Sequence, residues 1–154
     1  MRSLLPQPKQ KATMPDWDPA NFEDNLIADM RAHGGAVTTG PMAGQPVLVM
    51  TSTGAKTGQP RRAIVNFHRD GDDYVIAGTA AGAPNDPGWV SNVRAHPSVT
   101  VEAEGRTFQA TASLPDGTER DRLWDQHVAA LPRFAAYPEQ SGRVIPMVRL
   151  TPVA

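Results

Sequence analysis

PVLVMTSTGAKTGQPRRAIVNFH, running from Pro46 to His68, sets two apolar, β-branched segments on either side of the loop Gly54-Ala-Lys-Thr-Gly-Gln-Pro60. Short extended segments joined across a turn with two glycines predict a β-hairpin. Gly54 and Gly58 permit positive φ and close backbone approach, while Lys56, Thr57 and Arg61 supply donors and positive charge. That chemistry suits a phosphate or a carboxylate. A nucleotide-binding P-loop would need glycine directly before the lysine and a helix directly after it. Ala55 and the strand beyond Pro60 exclude it. Side chains alternate along a strand, so Arg62 faces away from Arg61 and reads as a surface residue.

Downstream of the hairpin, Arg69-Asp-Gly-Asp72 is a turn, and Asp73 to Thr79 reads as the third strand of a meander. Residues 80–86 are small and irregular. A short helix follows from Pro87 and stops at His96-Pro97, because proline cannot continue it. Ser98–Glu102 and Arg106–Ala112 predict two strands around Gly105, Asp116–Leu131 a helix, and Val144–Thr151 a closing extended run. Upstream, Asp18-Pro19 forms a cap and first-turn pair, and Phe22, Leu26, Ile27 and Met30 make one helical stripe that Gly34-Gly35 ends. This predicts a helix over 19–33. Residues 1–15 mix three prolines with polar and basic residues, as a disordered tail would, ahead of a single domain over 16–154. The expected fold is mainly β with short helices (α+β), antiparallel, and closed as a small barrel. The βαβ alternation and GxGxxG of a dinucleotide-binding sheet are absent.

A chain of 154 residues carries one domain with a real core, and its 13 glycines and 15 prolines favour turns over long helices. The formal charge of −1 gives no general case for nucleic acid or an anionic membrane as partner, so an anion site must be local. The absence of cysteine removes disulfides, thiolate catalysis and cysteine-ligated metals. His33, His68, His96 and His127 lack metal-ligand spacing, so no metal site is expected. His68 and His127 read as structural or surface residues. No apolar run has the length of a signal peptide or a membrane span, which points to a cytoplasmic protein without stable membrane insertion.

Three segments, in order and in spacing, resemble the deazaflavin-dependent nitroreductase family of the split β-barrel flavin-binding superfamily. They are TSTGAKTGQPR from Thr51 to Arg61, DPGWVSN from Asp86 to Asn92 with Ala95-His-Pro97 behind it, and RVIPMV from Arg143 to Val148. The resemblance spans roughly residues 20–152. It implies an FMN-binding-like split barrel that holds coenzyme F420, a deazaflavin with a phosphate and an oligoglutamate tail. FMN is the alternative cofactor on the same fold. It also implies an F420H2-dependent reductase that passes hydride to a small electrophile, an activated enone, lactone or quinone, with nitro compounds also possible. A non-catalytic flavin or deazaflavin carrier is the rival reading, and either a monomer or a homodimer is compatible.

Carried over by position, the resemblance assigns Lys56, Thr57, Gly58 and Arg61 to the phosphate, and Thr79, Trp89 and Asn92 to the ring. It makes Tyr137 and Thr79 the candidate proton donors. Backbone N–H groups at a glycine turn beside a lysine agree with the first assignment. The residues alone leave each position a plainer role: Lys56 a solvated tip, Trp89 and Tyr137 core packing, Asn92 a helix-end cap, Thr79 a bond to backbone. Two departures stand out. Ala80 occupies the place of a lysine that often precedes paired glycines. The tyrosine-rich acceptor region reads Leu131, Phe134 and Tyr137, which leaves one phenol and an apolar wall.

Overall fold

Val47, Leu48, Val49 and Met50 are all buried, which requires a sheet covered on both faces. The computed structural model describes residues 19–153, so the tail expected over 1–15 lies outside the described residues. Its elements are α1 (Pro19–Ala32), β1 (Val47–Thr53), β2 (Pro60–Asn66), β3 (His68–Asp70), β4 (Asp73–Ala77), α2 (Gly88–Ala95), β5 (Ser98–Ala103), β6 (Arg106–Ser113), α3 (Gly117–Ala130), α4 (Tyr137–Ser141) and β7 (Met147–Pro152). A short left-handed turn occupies Ala80–Gly82, and a 3-10 turn Pro132–Ala136.

The seven strands form one antiparallel sheet in the order β2-β1-β5-β6-β7-β4-β3. β2 and β3 are its opposite edges, yet Phe67 alone separates them in the chain. The sheet must therefore curl until its edges meet, which makes it a barrel. The predicted hairpin is present, with β1 and β2 in register from Val47 opposite Asn66 to Thr53 opposite Pro60.

Alternation then divides the side chains. Leu48, Met50, Tyr74, Ile76, Val101, Val148 and Leu150 fill the barrel. Val47 and Val49 point outward onto Leu26, Ile27 and Met30 of α1, and Val75 and Ala77 onto Leu123 of α3. The outer positions of β5 and β6 are polar: Glu102, which pairs with Arg31 of α1, and Thr100, Thr107 and Gln109.

The structure corrects several boundaries. The run expected to extend through His68 breaks at Phe67, where the chain changes edge. The third strand stops at Ala77, leaving Thr79 in the loop beyond it, and the last strand begins at Met147 because Pro146 precedes it. Pro132–Ser141, for which the sequence carried no element assignment, forms the 3-10 turn and α4. No helix among the described residues is long and apolar enough to cross a membrane.

α3 is tied to the barrel by two polar layers. Outside, Arg149 of β7 meets Asp70, Asp73 and Glu119, and Arg122 meets Asp70 and Glu119. Inside, His68 and His127, both buried, meet through their Nδ1 atoms at 2.8 Å. The network assigns the protons. Gln126 donates its amide to Asp70 and turns Oε1 to His68 Nε2 at 3.1 Å. His68 therefore carries its proton on Nε2 and accepts at Nδ1 from His127, whose buried Nε2 keeps a bare lone pair. His127 also packs edge-on against Phe134, with ring centroids 4.6 Å apart.

Burial pushes His127 down to about 3 and lowers His68 as well. The unfolded chain takes up these protons first, so the folded state is fully favoured above about pH 6.5 and loses stability as the pH falls toward the depressed value. His127 alone should cost roughly 1.4 kcal/mol between about pH 7.5 and about pH 5.5. Urea unfolding at those two pH values should show that loss, and the double variant His68→Leu/His127→Leu should show a flatter dependence. An equally steep dependence in the double variant would assign the acid sensitivity to other groups.

Candidate functional site: an anion loop leading into a cavity

The β1–β2 turn is built by its own backbone. Gly54 N–H donates to Gln59 O at 2.8 Å, Gly58 N–H to Gly54 O at 2.9 Å, and Gln59 N–H to Thr57 Oγ1 at 3.2 Å. A Cβ at Gly54 would sit 2.5 Å from Thr57 Oγ1, and Gly58 has φ of +70°. Both positions therefore need glycine. From α2, Asn92 holds the loop in place: its Oδ1 accepts from Ala55 N–H at 2.9 Å and its Nδ2 donates to Ser52 Oγ at 3.4 Å.

Lys56, Thr57, Gly58 and Arg61 are all exposed on this loop. Among the described residues neither Lys56 nor Arg61 has a carboxylate within ion-pair distance, whereas Arg62 on the opposite face pairs with Glu23 and Asp24 of α1. The loop thus presents two uncompensated cations with donors from Thr57 and the backbone.

β2 runs from Arg61 to a cavity at its other end. Arg61, Ala63 and Val65 share one face, and four residues of strand put Arg61 and Val65 ~13 Å apart. The cavity, about 280 Å³, is lined by residues that include Val65, Thr79, Trp89, Phe134 and Tyr137. Phe134 and Tyr137 meet edge to face at 5.2 Å. Arg133 lies over the Phe134 ring at 4.7 Å and donates to Asn66 Oδ1. Asn66 in turn donates to Gln45 Oε1 and Pro46 O.

This arrangement agrees with what the chain is similar to. The F420H(2)-dependent quinone reductase family model matches residues 25–152. The chain belongs to that family. An F420H(2)-dependent quinone reductase of Mycobacterium tuberculosis (strain ATCC 25618 / H37Rv) is 37% identical over 109 residues, which cover 69% of this chain and 73% of the relative. Among solved structures, an F420-H2 dependent reductase (FDR-A) is 31% identical with a TM-score of 0.63, covering 68% of this chain and 93% of its own. A second, described as a domain-swapped dimer, is 26% identical with a TM-score of 0.66, covering 86% and 99%.

As a member of the family the protein is an oxidoreductase whose cofactor is F420, on a split-barrel fold. The residues present fit that group: unpaired cations at the loop suit its phosphate, and a cavity walled by Trp89 and Phe134 suits its flat ring.

The site residues expected from the sequence fall into two places. Lys56, Thr57, Gly58 and Arg61 share the loop, and Thr79, Trp89 and Tyr137 line the cavity. Asn92, expected beside the ring, instead spends its amide on the loop. Leu131, expected in the acceptor wall, is buried in the core under α3, whereas Phe134 and Arg133 line the cavity. Met42, Asn66, Ala81 and Arg133 also line the cavity but carried no motif or spacing signal. Met42, for example, comes from a loop held by Thr38 and Thr39 N–H bonds to Asp29.

Asn92→Ala should leave Ala55 N–H and the loop without their tether. The lost bond is worth about 1 kcal/mol, so the melting temperature should fall by a few degrees, and F420 binding should weaken because the loop is no longer held. Titration of cofactor fluorescence measures this, and an unchanged dissociation constant would detach Asn92 from the site.

Proposed function

We propose that this protein uses reduced F420 to reduce quinones and related activated carbonyl acceptors, enones and lactones among them. The reading rests on one observation: unpaired Lys56 and Arg61 lie on the same hairpin whose second strand ends in a cavity walled by Trp89, Phe134 and Tyr137. Bound there, the deazaflavin would supply a hydride. Lys56, Thr57, Gly58 and Arg61 would hold its phosphate, with Asn92 fixing the loop, and Thr79 and Trp89 would border its ring. Phe134 gives an acceptor an apolar surface, and the Tyr137 hydroxyl would donate a proton to its oxygen, with Thr79 the second candidate. Arg133 has no carboxylate partner among the described residues and favours an acceptor oxygen that gains negative charge. Positioning and exclusion of water are the protein's share of the work.

Lys56→Ala should weaken F420 binding ten- to a hundredfold, about 1.5–3 kcal/mol for a charge-assisted contact, because an exposed hairpin tip contributes little to folding. F420 should bind clearly more tightly than FMN in the same titration. Equal affinity in a folded Lys56→Ala variant would make Lys56 a solvated tip, and tighter FMN binding would reverse the specificity.

Turnover of a menadione-like quinone and of an enone with reduced F420 tests the reaction. One phenol in the wall is poorly suited to orienting a nitro group, so bicyclic nitroimidazoles should be poor substrates. Tyr137→Phe should lower quinone turnover by a modest factor, because solvent can replace part of the roughly 10²–10⁴-fold that a positioned acid provides. Efficient nitroimidazole reduction would defeat the preference, and an unchanged rate in Tyr137→Phe would remove the phenol from the mechanism.

A further inference from the structure

Ala80, Ala81 and Gly82 occupy the left-handed region in succession, with φ of 48°, 54° and 85°. In the two alanines this sets Cβ against the following carbonyl, and an unsupported chain would leave the conformation. Thr79 before them is right-handed, with φ −80° and ψ −32°. The change of hand between Thr79 and Ala80 turns successive N–H groups toward one side, as in backbone concavities that receive electron-rich atoms. Gly82 N–H donates to Thr79 O at 2.9 Å and Ala83 N–H to Ala80 O at 3.0 Å. The N–H groups of Ala80 and Ala81 have no acceptor among the described residues, and both alanines line the cavity.

Arg143 supplies the support. Its side chain is only 15% exposed, and its guanidinium donates to Thr79 O at 2.9 Å, to Ala83 O at 3.2 Å and to Asp86 Oδ1 at 2.6 Å. The two carbonyls bracket the left-handed residues. Gly142, left-handed at φ 69°, ends α4 and brings Arg143 back across the turn, while Arg143 N–H donates to Ser141 Oγ at 3.3 Å. On the other side the turn rests against α4, where a Cβ on Gly82 would lie 2.5 Å from Gln140 Oε1.

We propose that Arg143 is a positioning residue of the cavity: its three bonds hold the strained Thr79–Gly82 turn and thereby present the Ala80 and Ala81 amides to the bound deazaflavin. This inference rests on the F420 reading above. It gives Arg143 an effect on cofactor affinity although its guanidinium is spent on the loop. It also couples two walls, because Arg143 follows directly on the helix that begins with Tyr137.

Arg143→Lys keeps a charge for Asp86 but cannot span both carbonyls. Three quantities test it: the F420 dissociation constant by fluorescence titration, hydrogen exchange of amides 79–86 without cofactor, and the melting temperature. Arg143→Lys should bind F420 roughly tenfold more weakly, exchange faster over 79–86, and melt close to the wild type. Adding Ala80→Gly and Ala81→Gly removes the Cβ conflict and should restore most of the affinity, which a general structural defect would not allow. Unchanged affinity in Arg143→Lys, or a loss that the glycines leave unrepaired, overturns the positioning role. A wild type that fails to bind F420 would strike the cofactor reading instead. In that case unchanged exchange over 79–86 in Arg143→Lys would still refute the clamp.

Discussion

The passage of the chain from one sheet edge to the other at Phe67 is the constraint on which the rest of the structure depends. It forces seven antiparallel strands to close without a hydrogen-bonded ladder between β2 and its neighbours across the seam. Ile64, Val65 and Asn66 come to the cavity from one side of that seam, and Ala77, Thr79 and Ala80 from the other. A fully laddered barrel would fill this space with side chains. The cavity is therefore a product of closure, and the hairpin that carries the anion loop also supplies one of its walls.

Charge is distributed to match. Most arginines that hold the fold are paired: Arg31 with Glu102, Arg62 with Glu23 and Asp24, Arg122 and Arg149 with the acidic residues around α3. Such pairs at the surface contribute little each, and their cations are spent. Lys56, Arg61 and Arg133 are not spent in this way. A formal charge of −1 conceals this, because charge counts do not record where compensation occurs.

The hairpin and its loop were legible in the sequence because local residue types determine them: apolar alternation for the strands, glycine for the turn, lysine and threonine for donors. Thr79, Trp89 and Tyr137 followed from resemblance and not from periodicity, and all three line the cavity. What was not legible depends on distance along the chain. His68 and His127 are 59 residues apart and carry no spacing signal, yet they form a buried pair beneath Phe134. Asn92 shows the limit of a local argument. The resemblance assigned it to the ring, whereas in the fold its amide bonds Ala55 N–H and Ser52 Oγ, a tertiary contact that no local pattern announces.

Charge within the cavity is confined to one wall. Arg133 is the sole cation among the described residues that line the cavity, and it comes from the same segment as Phe134. Beside the Thr79 hydroxyl, the other wall draws its polarity from the Ala80 and Ala81 N–H groups, whose orientation depends on a conformation alanine resists. A backbone donor bears no net charge and costs little to desolvate compared with a buried ammonium. On the proposed reading, a polar edge of the ring can therefore sit closely against that wall, while the charge is kept for the side where the acceptor oxygen gains electrons.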